Sequence, residues 1–150
     1  MEYFTLSSPE VLRLRAAQGG PEDMETHFNW YVSFDAEPFD VEGVSHYPII
    51  GTLHAGSASG WGDISLGALL MVVREIGKEP LPDVIARSNA VETLYDVARG
   101  HLSSLLRTAG AVFDIPSKSP PVEVMEFDEE DEGDSASDEA GVAGIEDQGA

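Results

Sequence analysis

The chain has 150 residues, no cysteine, 28 acidic residues against 8 basic ones, and a formal net charge of −20. That length suits one domain with a self-sufficient core, and the absent thiols exclude disulfides, thiolate nucleophiles and zinc sites of the usual Cys/His kind. So negative a chain repels phosphate backbones, which argues against direct nucleic-acid binding and leaves basic partners open.

The acidity is uneven. Residues 1–118 hold 16 acidic residues against all 8 basic ones, whereas residues 119–150 hold 12 acidic residues and none basic. The sequence PPVEVMEFDEEDEGDSASDEAGVAGIEDQGA thus predicts a domain over 1–122 and an acidic tail over 123–150, disordered from about Asp128 because it has little to bury. A phosphate on Ser135 or Ser137 would only add repulsion there. The opening MEYFTLSS lacks the basic start of a secretory signal. The longest apolar run, ISLGALLMVV, falls well short of the roughly 20 residues of a membrane span. The expectation is a cytoplasmic protein without membrane insertion.

In chain order, EVLRLRA (10–16) alternates Leu12 and Leu14 with Arg13 and Arg15 and predicts a strand, suited to an edge and ended by the Gly19-Gly20-Pro21 turn signal. HFNWYVSF (27–34) sets Phe28, Trp30, Val32 and Phe34 against His27, Asn29, Tyr31 and Ser33, the period of a strand with one buried face. FDAEPFDVEGVSHYP reads as a solvated charged loop in which Asp35, Glu37, Asp40 and Glu42 lie among Pro and Gly. YPIIGTLHA (47–55) predicts a strand whose Pro48, having no amide donor, belongs at its beginning or on a sheet edge. A flexible hairpin connection, GSASG (56–60), follows. ISLGALLMVVREI (64–76) is apolar on both parities, so it fits a strand buried on both faces or a helix. Gly67 and the Val72-Val73 pair favour the strand, and GKEPLP (77–82) stops either.

The run from 89 to 109 predicts a helix. Asn89 with Glu92 three residues on approximates a capping box, Arg107 sits in the last turn, and Gly110 follows as a cap. Val91, Leu94, Tyr95, Ala98, Leu102, Leu105, Leu106 and Ala109 form one apolar stripe. Four strands then a helix indicate an α+β fold, a four-stranded antiparallel sheet with the helix packed on one face.

No catalytic or metal constellation is visible. His27, His46, His54 and His101 have no metal-ligand spacing, and GSASG has Ala58 at its centre, so it is no nucleophile elbow. An enzymatic reading would need His46, His54 and Asp63 gathered in a cleft. The large side chains Phe28, Trp30, Tyr31, Tyr47, Trp61 and Met71 are core material in the main. An exposed subset would mark a surface for apolar polypeptide, since Trp, Tyr and Met give broad, adaptable contact.

The run RSNAVETLYDVARGHLSSLL, with its Arg-Ser-Asn-Ala entry, Leu94, Ala98-Arg99 and a Ser-Ser-Leu near the end, followed by SPPVEV, resembles the main helix of SecB-like protein-export chaperones. ISLGALLMVVREI is similar to that family's fourth strand, which favours the strand reading of 64–76. The resemblance implies a non-enzymatic chaperone that holds non-native or partner polypeptides in an apolar groove without a cofactor. Such a chaperone is implied to serve export or a toxin–antitoxin pair, often as a tetramer, and for this chain a homo-oligomer, dimer or tetramer, is the expected assembly. The family's second helix has no counterpart here, since MEFDEEDEGD follows the Pro segment. On that reading the six large side chains are the client-binding candidates. The competing expectation is an acidic decoy or adaptor, viral in style, that mimics nucleic acid and blocks a partner's basic site.

Overall fold

The structure, a computed structural model, describes residues 2–127. Its elements are β1 (Phe4–Gln18), β2 (His27–Phe34), β3 (Phe39–Val41), β4 (Val44–Ser57), β5 (Gly60–Val72), α1 (Leu81–Ala86), α2 (Asn89–Ala109) and β6 (Glu123–Glu126). The strands form one sheet of six in the order β1-β5-β4-β2-β6, with β3 beside β4. Every pairing is antiparallel except β2 with β6, which is parallel. The α+β arrangement with α2 on one face is therefore present, while the four-stranded sheet is corrected to six.

The two added strands fall where no strand was expected. Within the charged loop, Val41 and Val44 flank the two-residue turn Glu42-Gly43, whose positive φ angles of 52° and 83° are those of a primed hairpin turn. The Asp35 and Asp40 carboxylates accept local hydrogen bonds from the Glu37 amide and the Ser45 hydroxyl. Residues 123–126, assigned from sequence to the tail, pair with Tyr31–Phe34 as β6, so the folded body continues past 122. The acidic stretch from Asp128 onward, with Ser135 and Ser137, lies outside the described residues.

β2 matches its predicted span. Pro48 lies inside β4, which runs between β5 and β2, rather than at a strand's beginning or on a sheet edge. Its carbonyl accepts from the Asp35 amide just past the end of β2, and β3 begins pairing only at His46. The missing donor thus falls in the gap between the end of β2 and the start of β3, where β4 lacks a continuous partner on that side. β1 is an edge strand, as expected, but begins at Phe4 and is broken by irregularities between Ser7 and Glu10 and between Val11 and Arg13. Ser8, at φ 54°, precedes Pro9 in the first of them. Such bulges blunt an edge against further pairing. The hairpin at Ala58-Ser59 is tied rather than flexible: the Ser57 and Ser59 hydroxyls meet at 2.9 Å, and the Val112 amide donates to Ser59 Oγ at 3.0 Å.

The N-cap of α2 is Ser88, one residue before the expected Asn89; its hydroxyl oxygen accepts the Ala90 amide at 3.0 Å. This register leaves Glu92 out of a capping box, and its carboxylate instead accepts from the Ser119 hydroxyl and amide. Glu2 closes the helix entry from the other end of the chain. It accepts from the Ser88 hydroxyl at 2.9 Å and the Asn89 amide at 3.0 Å. Burial opposes ionisation of Glu2, but those hydrogen bonds and one from the Phe4 amide prevail and hold its carboxyl below the ordinary range. At the far end Gly110 adopts φ 83°, and the Ala111 amide reaches back to the Leu106 carbonyl at 3.0 Å, the cap expected there. The preceding α1 was not foreseen: GKEPLP was read as a stop, but Pro82 sits in its first turn, where an amide donor is dispensable.

The expected stripe is the buried one, with Val91, Leu94, Tyr95, Ala98, Leu102 and Leu106 against the sheet. Facing them are Trp30, Val32, Phe34, Leu53, Ile64, Leu66 and Leu70. Gly62 lets the helix close in: a Cβ there would stand 2.8 Å from Leu102. Past the helix, the Tyr95 hydroxyl donates to the Pro116 carbonyl and Arg99 Nε to that of Ile115, strapping the return segment to α2. Burial, only partly offset by Arg99, raises the Tyr95 phenol above its ordinary range.

Candidate polypeptide-binding face

Strand alternation sends every second side chain of the sheet away from α2. The register lines up rows across that outer face. Tyr31 pairs with Thr52, Thr52 with Ser65, and Ser65 with Arg13; Asn29, His54, Asp63 and Arg15 form the neighbouring row. Beyond them come Ser33, Ile50 and Gly67, then Pro48 and Leu69, then His46 and Met71. Leu12, carried by the second irregularity of β1, lies over Gly67 and is 54% exposed.

The six candidate residues divide between the two faces. Trp30 is 2% exposed and packs edge-on against Tyr95 with ring centroids 5.5 Å apart. Phe28 meets Phe113, and Tyr47 meets Phe4, also on the helix side. As contacts for a partner, Trp30 is corrected to a core residue, and Phe28 and Tyr47 pack against that core. Tyr31, Trp61 and Met71 are half-buried on the outer face. The grouping ignored parity: Trp30 and Tyr31 are adjacent in β2 and point oppositely. Leu12, Ile50 and Leu69 were missed, although in Leu12 the alternation with Arg13 was a signal.

Polar groups mark one end of this face. Asp63, 4% exposed, accepts both its bonds at 3.1 and 2.9 Å from Arg15 Nε, and Arg13 Nε lies 3.4 Å away. The Arg15 guanidinium also lies over the Trp61 ring, 5.5 Å from its centroid. Two cations thus cover one buried carboxylate, which satisfies the rule that buried charge is paired. His54 stands 4.0 Å from Asp63 and 5.5 Å from the His27 ring. Burial and the neighbouring His27 hold His54 below the ordinary imidazole range, outweighing Asp63.

His46 does not join them. It pairs with Met71 at the far end of β5, bonds the Val44 carbonyl through Nδ1, and stacks on Phe39. The cleft of His46, His54 and Asp63 required by an enzymatic reading is therefore not assembled. Among the described residues no group of three or more potential ligands could hold a metal ion, and no helix is long and apolar enough to cross a membrane.

No protein-family model matches the chain, and no curated protein matches it in sequence. A solved structure does match in three dimensions: the SecB-like chaperone Rv1957 of Mycobacterium tuberculosis, in complex with a ChAD peptide from the HigA1 antitoxin. The match covers 78% of this chain and 88% of that one, with a TM-score of 0.56 and 16% identity. The fold is SecB-like. At that identity the likeness concerns architecture, so the SecB-like fold accounts for the sheet and its covering helix but assigns no role to individual side chains.

Proposed function

We propose that this chain is a non-enzymatic chaperone or polypeptide-binding protein that holds non-native or partner polypeptides on the outer face of its sheet. One observation carries the reading. α2 covers one face of the sheet, with α1 and the return segment packed into the same core, while the other face presents Leu12, Tyr31, Ile50, Trp61, Leu69 and Met71 with no covering layer among the described residues. Apolar side chains left without a covering layer on a sheet, even divided by polar rows, offer contact area to a partner. The SecB-like neighbour was captured with an antitoxin peptide, which supports a polypeptide as the ligand class.

The same reading takes the chain to work in the cytoplasm, in export or beside a toxin–antitoxin pair, without nucleotide, and to assemble as a dimer or tetramer. Mass measurement in solution tests the assembly. For the binding itself, the chain is mixed with a slowly refolding, aggregation-prone client. Suppressed light scattering is expected, together with binding of an apolar dye. Absence of both would sink the reading.

A further inference from the structure

The last turns of α2 and the return segment 111–117 enclose an open cleft of about 630 Å³, within the size range of ligand sites. Arg99, Ser103 and Arg107 lie four residues apart and form one ridge along a wall of it. The half-buried Phe113 supplies an apolar lining, and Asp114 is the cleft's only acidic residue among the described residues. Arg99 Nε is held by the Ile115 carbonyl. Arg13 and Arg15 share the single carboxylate of Asp63 and Arg87 pairs with Glu79, whereas neither Arg99 nor Arg107 has an ion-pair partner among the described residues. In a chain of net charge −20 this is a local positive site.

We propose that the cleft binds an extended acidic peptide segment carrying two carboxylates four residues apart. The two arginines are separated by about 12 Å along the helix axis, and four extended residues span about 13 Å. The first and fifth side chains of such a peptide meet the two guanidiniums, and a central apolar residue rests on Phe113. A peptide fits better than a small anion because the opposite wall is backbone without regular structure. The Phe113 and Asp114 main-chain groups make no hydrogen bond among the described residues and are free to pair with an extended strand. The proposal does not rest on the outer-face reading.

The test titrates the isotope-labelled full chain with the acetylated, amidated peptide Glu-Ala-Leu-Ala-Glu. Expected are salt-sensitive amide shifts confined to 99–117. Affinity should fall at least about tenfold when both peptide glutamates become glutamine, and similarly for Arg107→Glu, an exposed position. Equal binding of the glutamine peptide, no effect of Arg107→Glu, or shifts on Tyr31, Trp61 and Met71 instead would each overturn it. The outer-face reading fails separately, by loss of client protection.

Discussion

The ring of Trp30 lies over Gly51, so close that a Cβ on that glycine would stand 2.7 Å from both the ring and the Leu94 side chain. The sheet and α2 therefore meet here through a position with no side chain. Leu94 could turn aside, but the fixed Trp30 ring has little room to move. Gly51→Ala is expected to lower stability by about 1–3 kcal/mol through overpacking, read from the midpoint of urea unfolding with the slope unchanged. An unaltered midpoint would show that the layer can slide.

Trp30 has a second peculiarity. Its indole Nε1 is buried without a hydrogen-bond partner, a desolvated donor that costs about 1–3 kcal/mol. Trp30→Phe removes that penalty while leaving a cavity, and the two effects oppose each other. The variant should lose under about 1 kcal/mol, less than cavity formation alone predicts. Thermal unfolding beside Trp30→Ala, which should lose about 3–5 kcal/mol, separates the contributions.

Helix entry offers a test by composition and by pH. Ser88→Ala removes the cap and should cost about 1 kcal/mol. Glu2 is depressed in the folded state, so its contribution is complete above the ordinary glutamate pKa, near 4.3, and disappears as pH falls through the lower folded value. Glu2→Gln should therefore flatten the acid limb of the stability profile and change little once the pH lies below that lowered folded value.

His54 acts in a different window with the same sign. Its folded pKa is depressed, so the unfolded chain takes up the proton first and stability declines as pH drops below about 6.5. His54→Asn should reduce that slope between about pH 7 and pH 5. Denaturant midpoints measured across the interval decide it, and an unchanged slope would remove His54 from the account.

On the outer face, Tyr31→Ser, Trp61→Ser and Met71→Ser are expected to leave folding intact, since α2 does not cover them, and to weaken client protection by about tenfold in combination. Circular dichroism checks the first expectation and the aggregation assay the second. Full protection by the triple variant would move the binding surface elsewhere.

The strand HFNWYVSF and the long helix are legible in the sequence because each has one buried face and enough length to show its period. β3 and β6 are not, because three and four residues are too few to display alternation. β6 is placed by β2, which lies far away in the chain, and β3 by the hairpin turn at Glu42-Gly43 that folds it back against β4. The same holds for the site. Tyr31, Trp61 and Met71 could be named by residue type, but their separation from Phe28, Trp30 and Tyr47 needed each strand's facing. The Glu2 anchor on Ser88 and the Arg15 pair with Asp63 join residues 86 and 48 apart, and no local pattern announces them.

The parallel pairing of β6 also has a kinetic meaning. Tyr31 meets Glu123, so during synthesis the edge of β2 waits for 92 further residues before it is closed. At about 5–20 residues per second that interval is roughly 5–18 s. Through it Tyr31–Phe34 of β2 offer unpaired amides and carbonyls to any neighbouring nascent chain, until β6 arrives to cover them.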